Sequence, residues 1–351
     1  MKQQITRIAL DALERGWVPD PIVRKGIRAL VEGRLRDLPL NDSGEAERHR
    51  AAFVEMMNRS PVAPVPELAN EQHYEVPAEF YGHVLGARRK YSSCFWTAAT
   101  SSLDEAEVAS LERTSRHACL RDGQQVLELG CGWGSLTLWM AERFPGSQVT
   151  AVSNSHSQRQ YIEQRAAERR LRNVRIVTAD MNDFSIDRRF DRIVSVEMFE
   201  HMRNYGELCR RISRWLDPDG LFLMHIFCHR SAPYEFVDKD AADWMSRHFF
   251  TGGIMPSDDL PLAFQDDLEI LKRWTWNGGH YQKTAEAWLE NLDRNKAAVL
   301  RVLARTYGDG EASRWWMRWR VFFMACAELF GFERGGQWYV NHYLFGRNHG
   351  T

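Results

Sequence analysis

Residues 125–140 read QVLELGCGWGSLTLWM, and this stretch decides the fold. A short apolar run leads directly into three glycines at alternate positions, Gly130, Gly132 and Gly134, which are followed by an apolar pattern with helical spacing. Glycine allows a tight turn and lets a ligand approach the backbone closely. The stretch therefore predicts a strand, a ligand-binding turn and a helix in succession, which is how an α/β fold begins.

The same alternation of strand and helix continues along the chain. Apolar runs predict four further strands, at residues 148–154, 173–180, 190–196 and 221–227, with helical patterns between them. A last strand is predicted at residues 337–346. Strands that alternate with helices form a parallel sheet covered on both faces, with a ligand crevice beyond the carboxyl ends of the strands.

The composition excludes several classes of protein. The chain has 351 residues, 44% of them hydrophobic, and a formal net charge of -1, so it lacks the basic excess typical of nucleic-acid-binding proteins. No run approaches the ~18 apolar residues that span a bilayer, and the first apolar stretch contains acids, so we expect neither a membrane span nor a signal peptide. The six cysteines have no paired spacing, which indicates reduced thiols in a cytoplasmic protein.

The sequence predicts a helical extension ahead of the α/β domain. Residues 1–70 carry helical patterns and end in a proline-rich linker, and residues 71–351 form the main domain. Within the extension, residues 19–38 are amphipathic and basic, which suits docking on the chain's own domain or on a second subunit, and also a peripheral membrane contact. The aromatic segment 228–279 interrupts the alternation and is predicted to be a substrate cover. The apolar face of the amphipathic segment is predicted to contain Ile22, Ile27, Leu30, Val31 and Leu35.

The spacing of the glycines indicates which ligand the turn binds. A dinucleotide site has the pattern G-x-G-x-x-G, with an acid about 20 residues further on. Here the pattern is G-x-G-x-G, the second strand ends in Ser153 and Asn154, and Glu128 precedes the first glycine, which makes it a candidate cofactor-binding residue. This favours a nucleoside without a pyrophosphate, as in S-adenosyl-L-methionine. Asp180, at the end of the third strand, suits an adenine amino group, and a helix N-cap remains the alternative for it.

A second motif, VEMFEHMRNY at residues 196–205, follows the fourth strand and carries Glu197, Glu200 and His201. Residues three and four apart share one face of a helical turn, so these side chains converge at the crevice if the turn is helical. Carboxylates beside a histidine suit the binding of a cation and the removal of a proton. Capping of the next helix is the alternative.

Five motifs spread over the chain carry a family resemblance: YSSCFW, VLELGCGWG, SNSHSQRQYI, FDRIVSVEMFEHMRNY and FFMACAELFG. Together they resemble the cyclopropane fatty acid synthase superfamily of class I S-adenosyl-L-methionine-dependent methyltransferases. Within it, EMFEHMRNY, HIFCHR, RHFFTGGIMPSDDL and WNGGHYQKTAEAWL are most similar to the coclaurine N-methyltransferase branch. The resemblance runs from about Trp17 to Asn348. It implies a Rossmann-like fold with a mostly parallel seven-stranded sheet, and it suggests a homodimer.

The resemblance also implies roles for individual residues. Glu197, Glu200 and His201 match the catalytic cluster of the N-methyltransferases. Methyl transfer to an amine needs a free lone pair, and an alkylamine with a pKa near ~10 is almost fully protonated at pH 7. The resemblance therefore implies that Glu200 and His201 remove the proton and that Glu197 orients the ammonium. Other positions match the residues that hold S-adenosyl-L-methionine. These are Tyr91, Ser92 and Ser93 in the segment that folds over the cofactor, Gly130 and Gly132 at the methionine part, Asn154 and Gln158 at the ribose, and Asp180 and Met181 at the adenine.

A second constellation belongs to the same superfamily. In the cyclopropane synthases a bound bicarbonate removes a proton after methyl transfer to an alkene, and the residues that hold it match Glu200, His225 and Tyr281. Two departures weaken this interpretation, because Ser93 stands where the family has a cysteine and Glu197 where those synthases have a small residue. Bicarbonate is therefore expected only if the chain modifies lipids.

The expected function is methyl transfer from S-adenosyl-L-methionine to the nitrogen of an apolar aromatic amine. The alternative is a lipid methyltransferase similar to cyclopropane-fatty-acyl-phospholipid synthase, acting on unsaturated acyl chains, and a third possibility is a non-catalytic cofactor-binding protein. No metal is expected, since strand alternation places Cys228 on the face opposite to His225 and His229. Cys326, in an apolar helical pattern, is expected to pack in the core.

Overall fold

The computed structural model describes residues 2–40, 42–65, 76–239 and 243–348. The helices are α1 (Lys2–Glu14), α2 (Asp20–Asp37), α3 (Ser43–Arg59), α4 (Ala78–Val84), α5 (Leu103–His117), α6 (Ser135–Arg143), α7 (His156–Glu168), α8 (Tyr205–Trp215), α9 (Trp244–Phe249), α10 (Gly279–Arg294), α11 (Lys296–Tyr307) and α12 (Ala312–Gly331). The strands are β1 (Gln125–Leu129), β2 (Gln148–Ser153), β3 (Val174–Thr178), β4 (Phe190–Val196), β5 (Leu216–His229), β6 (Tyr234–Glu235), β7 (Ile254–Met255), β8 (Leu268–Trp276) and β9 (Trp338–Arg347).

A seven-stranded sheet forms the centre of the described part of the chain, in the order β3-β2-β1-β4-β5-β9-β8. Strands β1 to β5 run parallel, whereas β9 pairs with β5 and β8 in the antiparallel direction. The strand order reverses between β1 and β4. Such a switch point leaves a crevice beyond the carboxyl ends of these two strands. The glycine turn and the VEMFEHMRNY motif both begin there. The mostly parallel seven-stranded sheet that the family resemblance implies is confirmed.

The sequence does not predict β8, which lies at the edge of the sheet beside β9. This strand falls inside the segment 228–279, so the predicted cover ends before residue 268. Its sequence, LEILKRWTW, exposes Glu269, Lys272 and Arg273 to solvent. An edge strand buries few of its side chains and therefore lacks the apolar run that identifies a central strand.

The N-terminal helices pack on the chain's own C-terminal helices. Both α1 and α2 contact α12. Arg24 of α2 donates to Glu286 at 2.7 Å and to Glu328 at 2.9 Å, and Arg318 of α12 donates to Glu14 of α1 at 2.9 Å. Of the predicted alternatives for the amphipathic segment, the structure shows docking on its own chain.

The buried face of α2 agrees with the prediction in part, because Val31 is buried and Ile27 and Leu35 are half-buried and pack against the core. Val23 and Val31 are buried, whereas Ile22 and Leu30 are 60% and 61% exposed. The ion pairs of Arg24 hold its side of the helix against α10 and α12, and this turns Ile22 and Leu30 outward. Residues 66–70, the end of the predicted linker, lie outside the described residues. Within the described ranges, no helix combines the length and the apolar character needed to cross a membrane.

Candidate active site

The glycine turn after β1 lies beside the motif that follows β4. Gly130 and Gly132 have φ values of 77° and 50°, which glycine adopts without steric strain. A Cβ atom at Gly130 would lie 2.7 Å from the side chain of Met198, so the turn approaches the neighbouring strand end too closely for any other residue. A Cβ atom at Gly132 would meet no atom within 4 Å. The turn therefore faces open space, as a ligand-binding turn must.

Two cavities border this turn, and both have Gly130, Gly132, Gln158 and Glu197 in their walls. The first cavity is also lined by Ser153, Asn154, Asp180 and Met181, and the second by Lys90, Tyr91, Ser92, Glu128 and Trp133. The structure thus brings the predicted cofactor-binding residues together. Of those residues, Ser93 alone lines neither cavity, and its backbone contacts Glu197 instead.

The wall of the second cavity contains buried polar atoms that lack hydrogen-bond partners. They are the hydroxyl groups of Thr114 and Ser135, the indole nitrogen of Trp133 and the amide nitrogen of Gln158. A buried donor without a partner destabilises the fold unless a ligand or water satisfies it. Lys90, only 3% exposed, adds a cation to the same wall. These groups fit a polar ligand that carries an anionic group.

Glu128 adds a carboxyl group to the wall of the second cavity. It is 2% exposed, and its carboxyl accepts a hydrogen bond of 2.6 Å from the hydroxyl of Thr137. Burial raises the pKa of Glu128 to about 8, and the hydrogen bond from Thr137 opposes this only in part. A cation bound in the cavity would favour the ionised carboxylate. With Lys90 and Glu128, the cavity fits an amino-acid group, which has one negative and one positive charge.

Gln158 and Asp180 have fixed orientations at the first cavity. The hydroxyl of Ser153 donates to Oε1 of Gln158 at 2.6 Å, which leaves the amide nitrogen of Gln158 as a donor. Oδ1 of Asp180 accepts from the backbone N–H of Asn182 at 2.7 Å. Asp180 therefore caps a turn and not a helix, so the predicted helix N-cap is wrong. It also borders the cavity, and its contact with adenine stays a prediction.

Glu197 stands directly after β4 with a φ of 48°, a left-handed value that is uncommon outside glycine. Its carboxylate accepts hydrogen bonds from the backbone N–H of Ser93 at 2.9 Å and from the hydroxyl of Tyr281 at 2.8 Å, and it lies 3.1 Å from Nε2 of His225. Burial raises the pKa of Glu197, while the charge of Lys90 and the bonds from Ser93 and Tyr281 act in the opposite direction. The strained backbone holds this carboxylate at the meeting point of several donors.

A third cavity adjoins the other two at Glu197, which lines all three. Its polar groups include His201 and the hydroxyl-bearing Tyr281, and Cys326 of α12, expected in the core, also borders it. Most of the wall is apolar and aromatic. It includes Tyr91, Phe227, Phe236, Phe250, Trp288, Phe322, Leu329 and Phe330.

The remaining members of the predicted acidic cluster lie in different environments. The turn that follows β4 is a 3₁₀ helix, Phe199–His201. His201 lines the first and third cavities, and burial lowers its pKa to about 4. Glu200 is fully buried, accepts a 2.7 Å hydrogen bond from the backbone N–H of Phe227, and is absent from the walls of the three cavities. Burial, and then the charge of Glu197, raise the pKa of Glu200 well above its usual value.

Behind the site, the sequence predicts His225 but not His342 or Lys90. His225, predicted through the resemblance, lines none of the three cavities and contacts both Glu197 and His342 of β9. The signal for His342 is a polar residue inside the apolar strand pattern YVNHYLF. Lys90 directly precedes the predicted Tyr91, but a single lysine beside a loop carries no distinguishing pattern.

Comparisons with known proteins agree with this geometry. The family model described as mycolic acid cyclopropane synthetase matches residues 66–341. The chain belongs to this family. The (S)-coclaurine N-methyltransferase of Thalictrum flavum subsp. glaucum is 36% identical over 348 residues, which cover 98% of this chain and 96% of that relative.

Solved structures and more distant members extend the comparison. A crystal structure of coclaurine N-methyltransferase bound to N-methylheliamine and SAH matches with a TM-score of 0.93 at 35% identity, covering 96% of this chain and 98% of that one. The cyclopropane-fatty-acyl-phospholipid synthase of Escherichia coli (strain K12) is 29% identical over 227 residues, 64% of this chain and 56% of that relative. This family member is an S-adenosyl-L-methionine-dependent N-methyltransferase with the class I fold, and S-adenosyl-L-methionine is its co-substrate.

Proposed function

We propose that this methyltransferase acts on the nitrogen of an apolar aromatic amine bound in the third cavity, with Glu197 as the group that orients the amine and accepts its proton. The observation that carries the proposal is that Glu197 lines all three cavities. A carboxylate at that junction lies between the walls that suit the cofactor and the wall that suits the acceptor. The relatives support an amine, because one is named for coclaurine and the solved structure binds N-methylheliamine.

S-Adenosyl-L-methionine supplies an activated methyl group on a positively charged sulfur. The task of the protein is to hold this cofactor in one orientation. In our proposal, Asn154, Gln158 and Asp180 hold the nucleoside in the first cavity, and Lys90 and Glu128 pair with the carboxylate and the ammonium of the amino-acid part in the second. Such pairs attract more strongly in a buried cavity than in water.

The third cavity suits an aromatic cation. Aromatic faces attract an ammonium group by about 0.5–2 kcal/mol, and burial of the ligand's apolar surface contributes about 25 cal/mol per Å². Phe236, Met245 and Phe250 of this wall come from the segment between β5 and β8. We propose that this segment is the cover of the acceptor, within a methyltransferase domain at residues 71–351.

Removal of a proton is the step that the residues of this chain must perform. An alkylammonium with a pKa near ~10 provides about one part in a thousand of free amine at pH 7, a cost of ~4 kcal/mol. The carboxylate of Glu197 can bind the ammonium, and its raised pKa makes it a better proton acceptor than an exposed carboxylate. His201 is neutral at pH 7, and its pKa of about 4 makes it the weaker proton acceptor of the two.

This proposal moves the base from Glu200 to Glu197. The carboxyl of Glu200 binds the backbone of Phe227, on β5, and so supports the strand end beside the third cavity. Glu200 therefore affects the reaction only through the backbone that it holds in place. Glu197 combines the two roles that the sequence divided between the glutamates, because its carboxylate is in contact with the acceptor cavity and is fixed by neighbouring donors.

The lipid alternative has less support. It requires His225 and Tyr281 to hold a bicarbonate ion together with Glu200. In this chain both His225 and Tyr281 contact the carboxylate of Glu197. A carboxylate and a bicarbonate both present planar oxygens to such donors, so we propose that the side chain of Glu197 takes the place of that ion.

A substrate screen with methyl-labelled cofactor tests the proposed function. Aromatic and aliphatic amines, and vesicles of unsaturated phospholipid with and without bicarbonate, are incubated with the enzyme, and products are identified by mass. We expect label in aromatic amines and none in lipid. Glu197→Gln should remove most of the activity, whereas Glu163→Gln, at an exposed glutamate paired with Arg159, should not. Labelled cyclopropane rings in the lipid would establish the alternative, and unlabelled amines would refute the proposal.

A further inference from the structure

Three histidines lie in series behind Glu197. Nε2 of His225 is 3.1 Å from Oε1 of Glu197, Nδ1 of His225 is 2.7 Å from Nε2 of His342, and Nδ1 of His342 is 2.9 Å from Nδ1 of His117. Strand register fixes the middle contact, because His225 of β5 and His342 of β9 are direct partners in the antiparallel ladder. The series runs from the junction of the cavities, across two strands, to the last residue of α5.

The outer end of this series reaches the surface. His225 and His342 are fully buried, whereas His117 is half-buried. Nδ1 of His117 faces His342, which leaves Nε2 as the nitrogen for solvent. Trp274 stacks on the ring of His117, with centroids 4.0 Å apart and 7° between the planes, and so fixes its orientation. A continuous path of hydrogen-bonding nitrogens therefore joins Glu197 to the half-buried ring of His117.

Neutral imidazole suits such a path, because it has one N–H donor and one acceptor nitrogen. Burial lowers the pKa of both inner rings well below the usual value, and the charge of Lys90 acts in the same direction. Burial lowers the pKa of His117 to about 4, and the charges of Arg113 and Arg116 contribute. All three rings are thus neutral near pH 7, so each can accept a proton on one nitrogen while it releases one from the other.

We propose that His225, His342 and His117 conduct the proton of the acceptor amine from Glu197 to solvent. The proposal rests on the proposed function, in which Glu197 takes that proton: an N–H bond of the ammonium breaks and an O–H bond forms on Glu197. That O–H bond then breaks as an N–H bond forms at Nε2 of His225. The Nδ1 proton of His225 passes to Nε2 of His342, the Nδ1 proton of His342 passes to Nδ1 of His117, and the Nε2 proton of His117 passes to water. One proton enters, one leaves, and no group is oxidised or reduced.

We call these three histidines, His225, His342 and His117, the relay. The relay returns Glu197 to its carboxylate form while acceptor and cofactor fill the cavities. After the transfer, every ring donates its N–H toward Glu197, so the three imidazoles stabilise the carboxylate. After the product leaves, the first tautomer is restored by the reverse transfer: water protonates Nε2 of His117, one proton passes inward along the three rings to Glu197, and Glu197 releases it to water in the emptied cavity. Water entering the third cavity could also remove the proton, so the experiment must separate these two routes.

The variant His117→Phe tests the relay. It keeps a flat ring against Trp274 and removes both nitrogens. The matched control is His49→Phe, because His49 is also half-buried but binds the carbonyl of Pro233 and lies outside the relay. Turnover of an aromatic amine is measured in weak buffer, with proton release followed by a pH indicator and methylated product followed by quenching.

We expect His117→Phe to lower kcat by about tenfold or more in weak buffer and to release the proton later than the product in a single turnover. His117→Ala, which leaves space for an imidazole beside His342, should show the same loss and recover when imidazole is added. His49→Phe should match the wild type. Cofactor titration by tryptophan fluorescence should give equal affinities for all four proteins, which shows that the variants are folded. His342→Asn, which interrupts the relay in the middle, should repeat the loss of kcat without recovery in imidazole, because that site is closed to solvent.

Two results would overturn the relay. If His117→Phe keeps the wild-type kcat in weak buffer and releases its proton in step with product, water removes the proton and the histidines have no part in it. If the wild type methylates no amine at all, the proposed function fails and the relay fails with it. The two failures are distinct, because the first occurs in an active N-methyltransferase.

Discussion

The variant Glu128→Gln should be more stable than the wild type, by a margin that grows as the pH rises. In the folded protein, burial raises the pKa of Glu128 to about 8 from its ordinary 4.5. Between these two values the unfolded chain has lost the proton of this carboxyl while the folded protein retains it. The unfolded state therefore binds fewer protons, and the free energy of unfolding of the wild type falls as the pH rises through this window.

The two pKa values set the size of the effect. One pKa unit corresponds to about 1.4 kcal/mol, so at pH 7 the buried carboxyl lowers the free energy of unfolding by about 3 kcal/mol. Glutamine has nearly the same shape, still accepts the hydrogen bond from Thr137, and has no proton to lose in this range. The variant should therefore gain most of that difference.

Urea denaturation of the cofactor-free proteins at pH 5, 6, 7 and 8 measures this gain. We expect the difference in unfolding free energy between Glu128→Gln and wild type to widen by about 1 kcal/mol per pH unit. Glu163→Gln, at an exposed position, should show no such trend. A difference that stays constant from pH 5 to pH 8 would refute the reasoning, because the carboxyl of Glu128 would then titrate alike in the folded and unfolded states.

The same substitution should weaken cofactor binding. If the ammonium of the cofactor pairs with ionised Glu128, binding to the wild type releases a proton near pH 7 and tightens as the pH approaches 8. Glu128→Gln should bind more weakly and without this pH dependence. Titration calorimetry in two buffers with different ionisation enthalpies measures the released proton directly.

Three further substitutions test the active site. Glu197→Gln should lower kcat by about 10²- to 10⁴-fold while calorimetry shows unchanged cofactor affinity; loss of both would indicate a structural role. Tyr281→Phe removes a donor to Glu197, so the pKa of Glu197 should rise further and the acidic limb of the kcat–pH profile should move to higher pH by up to about one unit; an unmoved limb would exclude Glu197 as the base. Gly130→Ala should destabilise the protein by about 1–3 kcal/mol and weaken cofactor binding, because its Cβ would meet Met198 at a positive φ. Gly123→Ala, also at a positive φ but with no atom within 4 Å of its Cβ, should leave cofactor binding intact in the same titration.

Central strands could be predicted because both of their faces are covered. Strands β1 and β4 must bury side chains in both directions, so they read as continuous apolar runs that end at a glycine turn or an acidic motif. The edge strand β8 has no such requirement, and its exposed charges resemble a loop. The buried face of helix α2 could be predicted only in part from its own sequence. Arg24 forms ion pairs with residues far along the chain, and these pairs decide which apolar residues of α2 are buried.

The site could be predicted as a set of residues but not as an arrangement. The motif after β4 places Glu197 and Glu200 near each other, but only the left-handed backbone of Glu197 and the 3₁₀ turn decide which carboxylate borders the cavities. His117 and His342 come from distant parts of the chain. They meet through strand register and the position of a helix end, and no local pattern specifies either.

Helix α12 has two neighbours of different kinds. Ala325, Cys326 and Leu329 line the third cavity, while α1 and α2 contact the same helix through the ion pairs described above. Substitutions in the N-terminal helices can therefore move this wall without altering any residue that a substrate touches. Evolution toward a different amine can proceed through positions remote from the chemistry, and directed-evolution libraries confined to the cavity would miss them.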